Sequence, residues 1–167
     1  MLGLDGAGKT QLLYQLQAQN QIISQPTTRV NVQTIHLQNN SSISVWDMGG
    51  HPQLRVLWFY YLQNTQIVIY VVDSADRDPN RIQQSKNELE RLLNHQELEN
   101  IPFIILFNKT DLPQAMNIEE IQEKFNITIG SKQTVTSHKI IATQITAISN
   151  TCVKEEVIKL LEKVIFE

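Results

Sequence analysis

The sequence predicts an α/β domain, a mostly parallel sheet with helices on both faces, and three observations carry that reading. Short apolar runs, Ile67–Val72 and Phe103–Phe107, alternate with stretches of helical periodicity. Gly3-Leu4-Asp5-Gly6-Ala7-Gly8-Lys9-Thr10 fits G-x-x-x-x-G-K-[ST], the phosphate-binding loop between a strand and a helix. Val30–Leu37 and Ile43–Asp47 read as one antiparallel hairpin across the short turn Gln38-Asn39-Asn40-Ser41.

The elements follow in order. Gly6 and Gly8 allow backbone angles that turn successive N–H groups inward around an anion. The helix Gln11–Leu16 points its positive end at the same place. Ile67–Val72 is β-branched on both faces and therefore buried; Phe103–Phe107 is a second such strand and Lys139–Thr146 the last. Helices are expected near Asn80–Leu93 and Ile118–Phe125, and at the end of the chain, where Val153, Val157, Leu160, Leu161 and Val164 share a face. These stripes are core. Thr128–Ser137 is polar and aperiodic and reads as a surface loop.

Composition bounds the function. The 167 residues suit a single domain spanning 1–167. A net charge of −3 with scattered basic residues gives no field for nucleic acid. Cys152 stands alone, so it forms no internal disulfide and has no metal-ligand partners; this fits a reducing compartment. No signal peptide is visible, and the apolar runs are too short to span a bilayer. Gln and Asn make up about a fifth of the chain, but they are dispersed, which argues against a prion-like tract.

Two further motifs join the phosphate loop. In Trp46-Asp47-Met48-Gly49-Gly50, an Asp at a strand end beside the loop can hold Mg²⁺ directly or through water, and Gly50 lets a backbone N–H approach the terminal phosphate. In Asn108-Lys109-Thr110-Asp111, a carboxylate at the mouth of the sheet can pair with the N1–H and 2-amino group of guanine, a pair that adenine lacks. Lys109 can lie along the base, and Asn108 can tie this loop to the phosphate loop. Alone, each string also fits a plain turn; all three at strand ends point to GTP and GDP as ligands, with Mg²⁺.

These motifs resemble the signature boxes of the Arf and Arf-like small GTPases, and the resemblance spans essentially the whole chain. Family-specific strings include Trp46–Gly50, Leu57-Trp58 with Tyr61, Val72-Asp73-Ser74 and Asp111-Leu112-Pro113. The resemblance implies the Ras-like three-layer fold. It implies a nucleotide site made of Gly3, Leu4, Asp5, Gly6, Ala7, Gly8, Lys9, Thr10, Gln11, Thr27, Asp47, Gly50, Asn108, Lys109, Asp111, Thr146 and Ala147. Thr10, Thr27 and Asp47 would serve the metal, with Asp47 acting through water, and Ala147 would offer its N–H to the guanine O6. Val30, Trp46, Trp58 and Tyr61 would face effectors. The implied role is a monomeric switch in vesicle or membrane traffic, cytoplasmic or peripheral at endomembranes. An exchange factor, an activating protein and effectors would be its partners.

The departures are informative. Thr28-Arg29-Val30-Asn31 replaces the family's Ile/Val-Gly-Phe-Asn. His51 stands where the family has its catalytic Gln, so the expected turnover is slow. Partner-triggered hydrolysis through His51 and a neutral replacement are the other readings. The chain is expected to lack most of the strand before the phosphate loop, leaving Ile43–Asp47 and Ile67–Val72 facing across a gap. Membrane association is expected only with an upstream segment. Two functions of other classes stay open: a GTP-binding interaction module with negligible hydrolysis, and a P-loop kinase or ATPase, which would leave Asn108–Asp111 without a role.

Overall fold

The computed structural model describes residues 1–17, 27, 30–37, 41–130, 132–135, 138–147 and 152–166. Helix α1 (Lys9–Leu16) follows the phosphate loop, and strands β1 (Val30–His36) and β2 (Ser42–Met48) form the expected hairpin. The turn residues 38–40 lie outside the described residues, as do Thr28 and Arg29. A short helix α2 (Pro52–Arg55) and a 3₁₀ turn (Trp58–Tyr61) precede β3 (Val68–Asp73). Then come α3 (Pro79–Leu93), β4 (Phe103–Asn108), α4 (Ile118–Phe125), β5 (Lys132–Val135), β6 (His138–Gln144) and α5 (Cys152–Phe166).

Strands β3, β4 and β6 are parallel neighbours, and β5 closes the edge in the order β3-β4-β6-β5. Side chains alternate across a strand, so one sheet feeds two cores. Val68, Tyr70, Val72, Phe103, Ile105 and Phe107 face one side, where Leu89 and Leu92 of α3 and Ile121 and Phe125 of α4 pack. Ile69, Val71, Ile104 and Leu106 face the other, against Leu12, Leu13 and Leu16 of α1 and Val157, Ile158 and Leu161 of α5. This is the three-layer arrangement, and it brings the carboxyl ends of β2, β3 and β4 beside the phosphate loop.

One expectation needs correction. The segment read as a polar surface loop contains β5, which pairs antiparallel with β6. An edge strand needs backbone partners on one side only, so it shows no apolar period. The gap beside β3 is bridged at its phosphate-loop end. Leu2 N–H donates to Ile69 O at 2.8 Å, Val71 N–H to Leu2 O at 2.8 Å and Met48 N–H to Met1 O at 3.1 Å. These bonds span that end only: β1–β2 stays a sheet apart from β3-β4-β6-β5, and Leu2 pairs with Tyr70 as an isolated bridge.

Helix ends are set locally. Asp78 caps α3 by accepting from the Asn80 N–H, with Pro79 in the first turn. Asn117 and Glu120 form a reciprocal capping box on α4, which ends at Asn126 in a left-handed conformation.

Candidate functional site

The phosphate loop is held from behind. Gly8 begins α1 at φ 92°, and a Cβ there would lie 2.3 Å from Asn108 Nδ2, so only glycine fits. Asn108 is buried at the end of β4 and ties three segments together. Its Nδ2 donates to Ala7 O at 2.8 Å, and its Oδ1 accepts from Ala147 N–H at 2.8 Å. Thr110 adds bonds to Ile145 O at 3.1 Å and to the Thr146 hydroxyl at 2.7 Å. Lys109 has a left-handed backbone, φ 66°, and its ammonium pairs with Asp73. That conformation costs about 1–2 kcal/mol for a residue with a Cβ. Asp111 is exposed at the mouth of this cluster. Asn108, Thr110, Thr146 and Ala147 are therefore brought together, with Asp73 against Lys109, and the Ala147 N–H expected to meet the guanine O6 is taken here by Asn108 Oδ1.

The phosphate end is built from different contacts. Lys9 is buried, and its Nζ donates to Gly3 O at 3.0 Å and Leu4 O at 2.8 Å. Burial lowers its pKa to about 8, opposed by the Asp47 and Asp5 carboxylates. The Thr10 hydroxyl lies 2.6 Å from Asp47 Oδ2 and 2.7 Å from the Thr27 hydroxyl, which is itself 3.1 Å from Asp47 Oδ2. Asp47 is fully buried, and its Oδ1 has no hydrogen-bond partner among the described residues. A buried carboxylate oxygen without a partner is costly in an apoprotein. Three hard oxygens within contact and an orphaned fourth suit Mg²⁺, a cation that takes oxygen ligands.

Gly50 lies against the phosphate loop; a Cβ on it would meet Asp5 N and Leu4 C at 2.3 Å. His51 follows as the residue before α2, exposed, with its side chain making no cap bond to the helix. Gln11 is half-buried in the first turn of α1.

The expected effector residues divide. Trp46 and Tyr61 are 45% and 44% exposed, with ring centroids 5.8 Å apart. Trp58 does not belong with them. It is 0% exposed, and its Nε1–H donates to Gly49 O at 2.9 Å. The indole fills the core and spends its one polar atom on the switch backbone above it. Val30 is half-buried against the core. Val32, opposite Trp46 in the β1–β2 register, is exposed and takes the outward place. Val56, Leu57 and Tyr60 are further exposed apolar side chains in the segment between β2 and β3. The strand alternation of β1 carried the signal for Val32, because Val30 and Val32 share one face and the burial falls off toward the outer end.

Sequence reasoning missed the arginines. Arg55 is buried beneath Gly50 and beside Asp5, and Arg81 donates to Asp5 O at 2.8 Å. Arg77 spans the loops after β3 and β4. It donates to Gln114 O at 2.6 Å, Ala115 O at 3.1 Å and Glu120 Oε1 at 2.8 Å.

The comparisons with known proteins agree with this geometry. The family model described as Arf, ADP-ribosylation factor family, matches residues 1–164. Among solved structures, the Arl6 BBS3 small GTPase from Trypanosoma brucei, with bound nucleotide analogue GppNp, is 29% identical with a TM-score of 0.81. That match covers 98% of this chain and 94% of that one. The mammalian SRP receptor has the same TM-score, 0.81, at 22% identity, covering 98% and 97%; at that distance the likeness is one of fold.

Proposed function

The chain belongs to the ADP-ribosylation factor family, and from that premise we propose that it is a guanine-nucleotide switch that binds GTP and GDP with Mg²⁺ and turns GTP over slowly. The observation that carries the reading is the convergence on one site of a phosphate loop, an Asp47 with an orphaned buried oxygen, and an Asn108-centred base loop. Family and fold are those of a GTP-binding switch.

Each residue then has a task. Gly6 and Gly8 shape the loop around the phosphates, and Lys9 supplies a fixed positive charge to them. Mg²⁺, when bound, would neutralise charge on the outer phosphates and would be held by Thr10, Thr27 and Asp47. Thr27 and Gly50 respond to the terminal phosphate, and its loss releases both segments. Asp111 selects guanine. Trp46 and Tyr61, joined by Val32 and Tyr60, form the face by which an effector senses the state. We extend the reading to vesicle or membrane traffic, with an exchange factor and an activating protein as further partners.

A second reading, an interaction module with negligible turnover, is favoured by His51. Its ring is exposed and does not cap α2. A neutral imidazole offers one donor and one acceptor, whereas the family's amide donates twice and accepts twice. Single-turnover hydrolysis of GTP by wild type and His51→Gln separates the two readings. The switch reading expects slow wild-type hydrolysis that rises in the Gln variant. Wild-type hydrolysis as fast as that of the variant, without a partner, removes the slow switch. Equal competition by ATP removes guanine binding.

A further inference from the structure

We propose that Arg55 is the latch that closes the switch segment onto the phosphate loop and so sets the preference for a nucleoside triphosphate over a diphosphate. The proposal rests on the guanine-nucleotide reading above and names a positioning residue within it. Arg55 ends α2, directly after Gly49-Gly50-His51, yet its side chain is only 3% exposed. Its Nε–H donates to Gly50 O at 2.7 Å. One terminal nitrogen lies 3.4 Å from Asp5 Oδ1 and 3.5 Å from Gln84 Oε1, and the other 3.6 Å from Glu88 Oε1. One guanidinium therefore joins the switch backbone, the phosphate loop and α3. A planar fork with several donors can do this, and an ammonium cannot.

The Asp5 end of the latch is itself fixed. Arg81 donates to Asp5 O at 2.8 Å and lies 3.7 Å from Asp5 Oδ1, while its Nε holds Asp76 Oδ2 at 2.8 Å. With Asp5 anchored to α3, Arg55 has a rigid point to pull Gly50 against. Gly50 is pressed so close to Asp5 and Leu4 that no side chain fits between them. The donors of Arg55 face Gly50, Asp5, Gln84 and Glu88, so its role is to place the Gly50 backbone and not to touch phosphate.

Selectivity follows from where the contacts lie. A diphosphate is held by the loop, Lys9 and Thr10, none of which belongs to the switch segment. Only the third phosphate reaches the Gly50 backbone. A contact that exists with one ligand and not the other is what shifts a two-state equilibrium. Freeing the segment therefore weakens triphosphate binding and spares the diphosphate. A merely structural buried arginine would weaken both alike.

The test measures dissociation of fluorescent GDP and of a fluorescent non-hydrolysable GTP analogue from the full chain, in magnesium. The variants are Arg55→Gln, Arg55→Lys and Glu88→Gln, each checked by thermal melting. The expected result for Arg55→Gln is an analogue that leaves about 10-fold to 100-fold faster, with GDP changed by less than about twofold. Arg55→Lys restores only part, since it keeps the charge without the fork. Equal acceleration of both nucleotides, no acceleration, or full rescue by lysine overturns the latch. If Arg55→Gln does not fold, Glu88→Gln decides, because it loosens the α3 end outside the nucleotide site; selective loss of the analogue supports the latch and an even loss overturns it. Failure of the wild type to bind either nucleotide overturns the guanine reading itself, an outcome distinct from the others.

Discussion

At the base end of the site, Asn108 bonds directly to Ala7 and to Ala147, and Thr110 to Ile145, with no place left in those bonds for a ligand. At the phosphate end, Lys9 rests on two carbonyls, and the Thr10 and Thr27 hydroxyls share one oxygen of Asp47. The first set of contacts is complete within the protein. The second is made of groups whose chemistry suits phosphate and a divalent cation, and it leaves Asp47 Oδ1 unpaired. The difference separates recognition from switching. On the proposed function, a frame that reads the same base in both states is built from protein alone, and a frame that reports the third phosphate borrows its closing contacts from the ligand.

Four substitutions sharpen or break that contrast. The largest effect is expected at Asp111. Asp111→Asn exchanges a carboxylate for an amide facing the two guanine donors and should shift preference toward xanthine nucleotides by a factor on the order of 10⁴. Competition between GTP and XTP measures it, and unchanged GTP affinity would contradict the base-end assignment. Asn108→Ala comes next. It strips partners from the buried Ala7 carbonyl and Ala147 N–H, each loss costing about 1–3 kcal/mol. Both nucleotides should weaken together, which paired titrations check.

Thr27→Ala acts at the other end. Removing a hydroxyl from the Thr10–Asp47 cluster should speed release of the triphosphate about tenfold, with the diphosphate little changed. A similar loss for both would move Thr27 out of the switch and into the fixed frame. The smallest effect belongs to neither end. Asn117→Ala opens the α4 capping box and should lower stability by about 1 kcal/mol in chemical denaturation, without altering nucleotide selectivity. The other half of the box, the Asn117 backbone N–H donating to Glu120 Oε2, survives this substitution and depends on pH. The Arg77 hydrogen bond, then the Asn117 N–H, hold the Glu120 carboxyl below its usual range. A depressed carboxylate contributes above its unfolded pKa, about 4.3, and that contribution fades as pH falls through the folded value. Wild type and variant should therefore both lose this contribution in acid, leaving the difference between them little changed.

The contrast also governs what was legible in the sequence. Asn108, Asp111, Lys9, Thr10 and Asp47 stand in short strings whose spacing states their chemistry, and the hairpin and the buried strands β3 and β4 follow from residue pattern. Three features were hidden for physical reasons. β5 is an edge strand with no apolar period to reveal it. Trp58 sits in a string that resembles a surface motif, but it is buried in a core cluster shared with residues distant in sequence, such as Leu98 and Phe103. Arg55, Arg77 and Arg81 make contacts to segments far away in sequence, among them Asp5 and Gln114, and an arginine in a solvated-looking stretch carries no mark of its partner.

On the proposed function, one end of the site is fixed and the other follows the third phosphate. Amide hydrogen exchange of the full chain, loaded with GDP and then with a non-hydrolysable GTP analogue, tests it most directly. Gly49–Arg55 and Thr27 should gain protection with the triphosphate, while Asn108–Asp111 and Ile145–Ala147 stay equally protected in both. Equal exchange at Gly49–Arg55 in the two states, or a change confined to Asn108–Asp111, would contradict it.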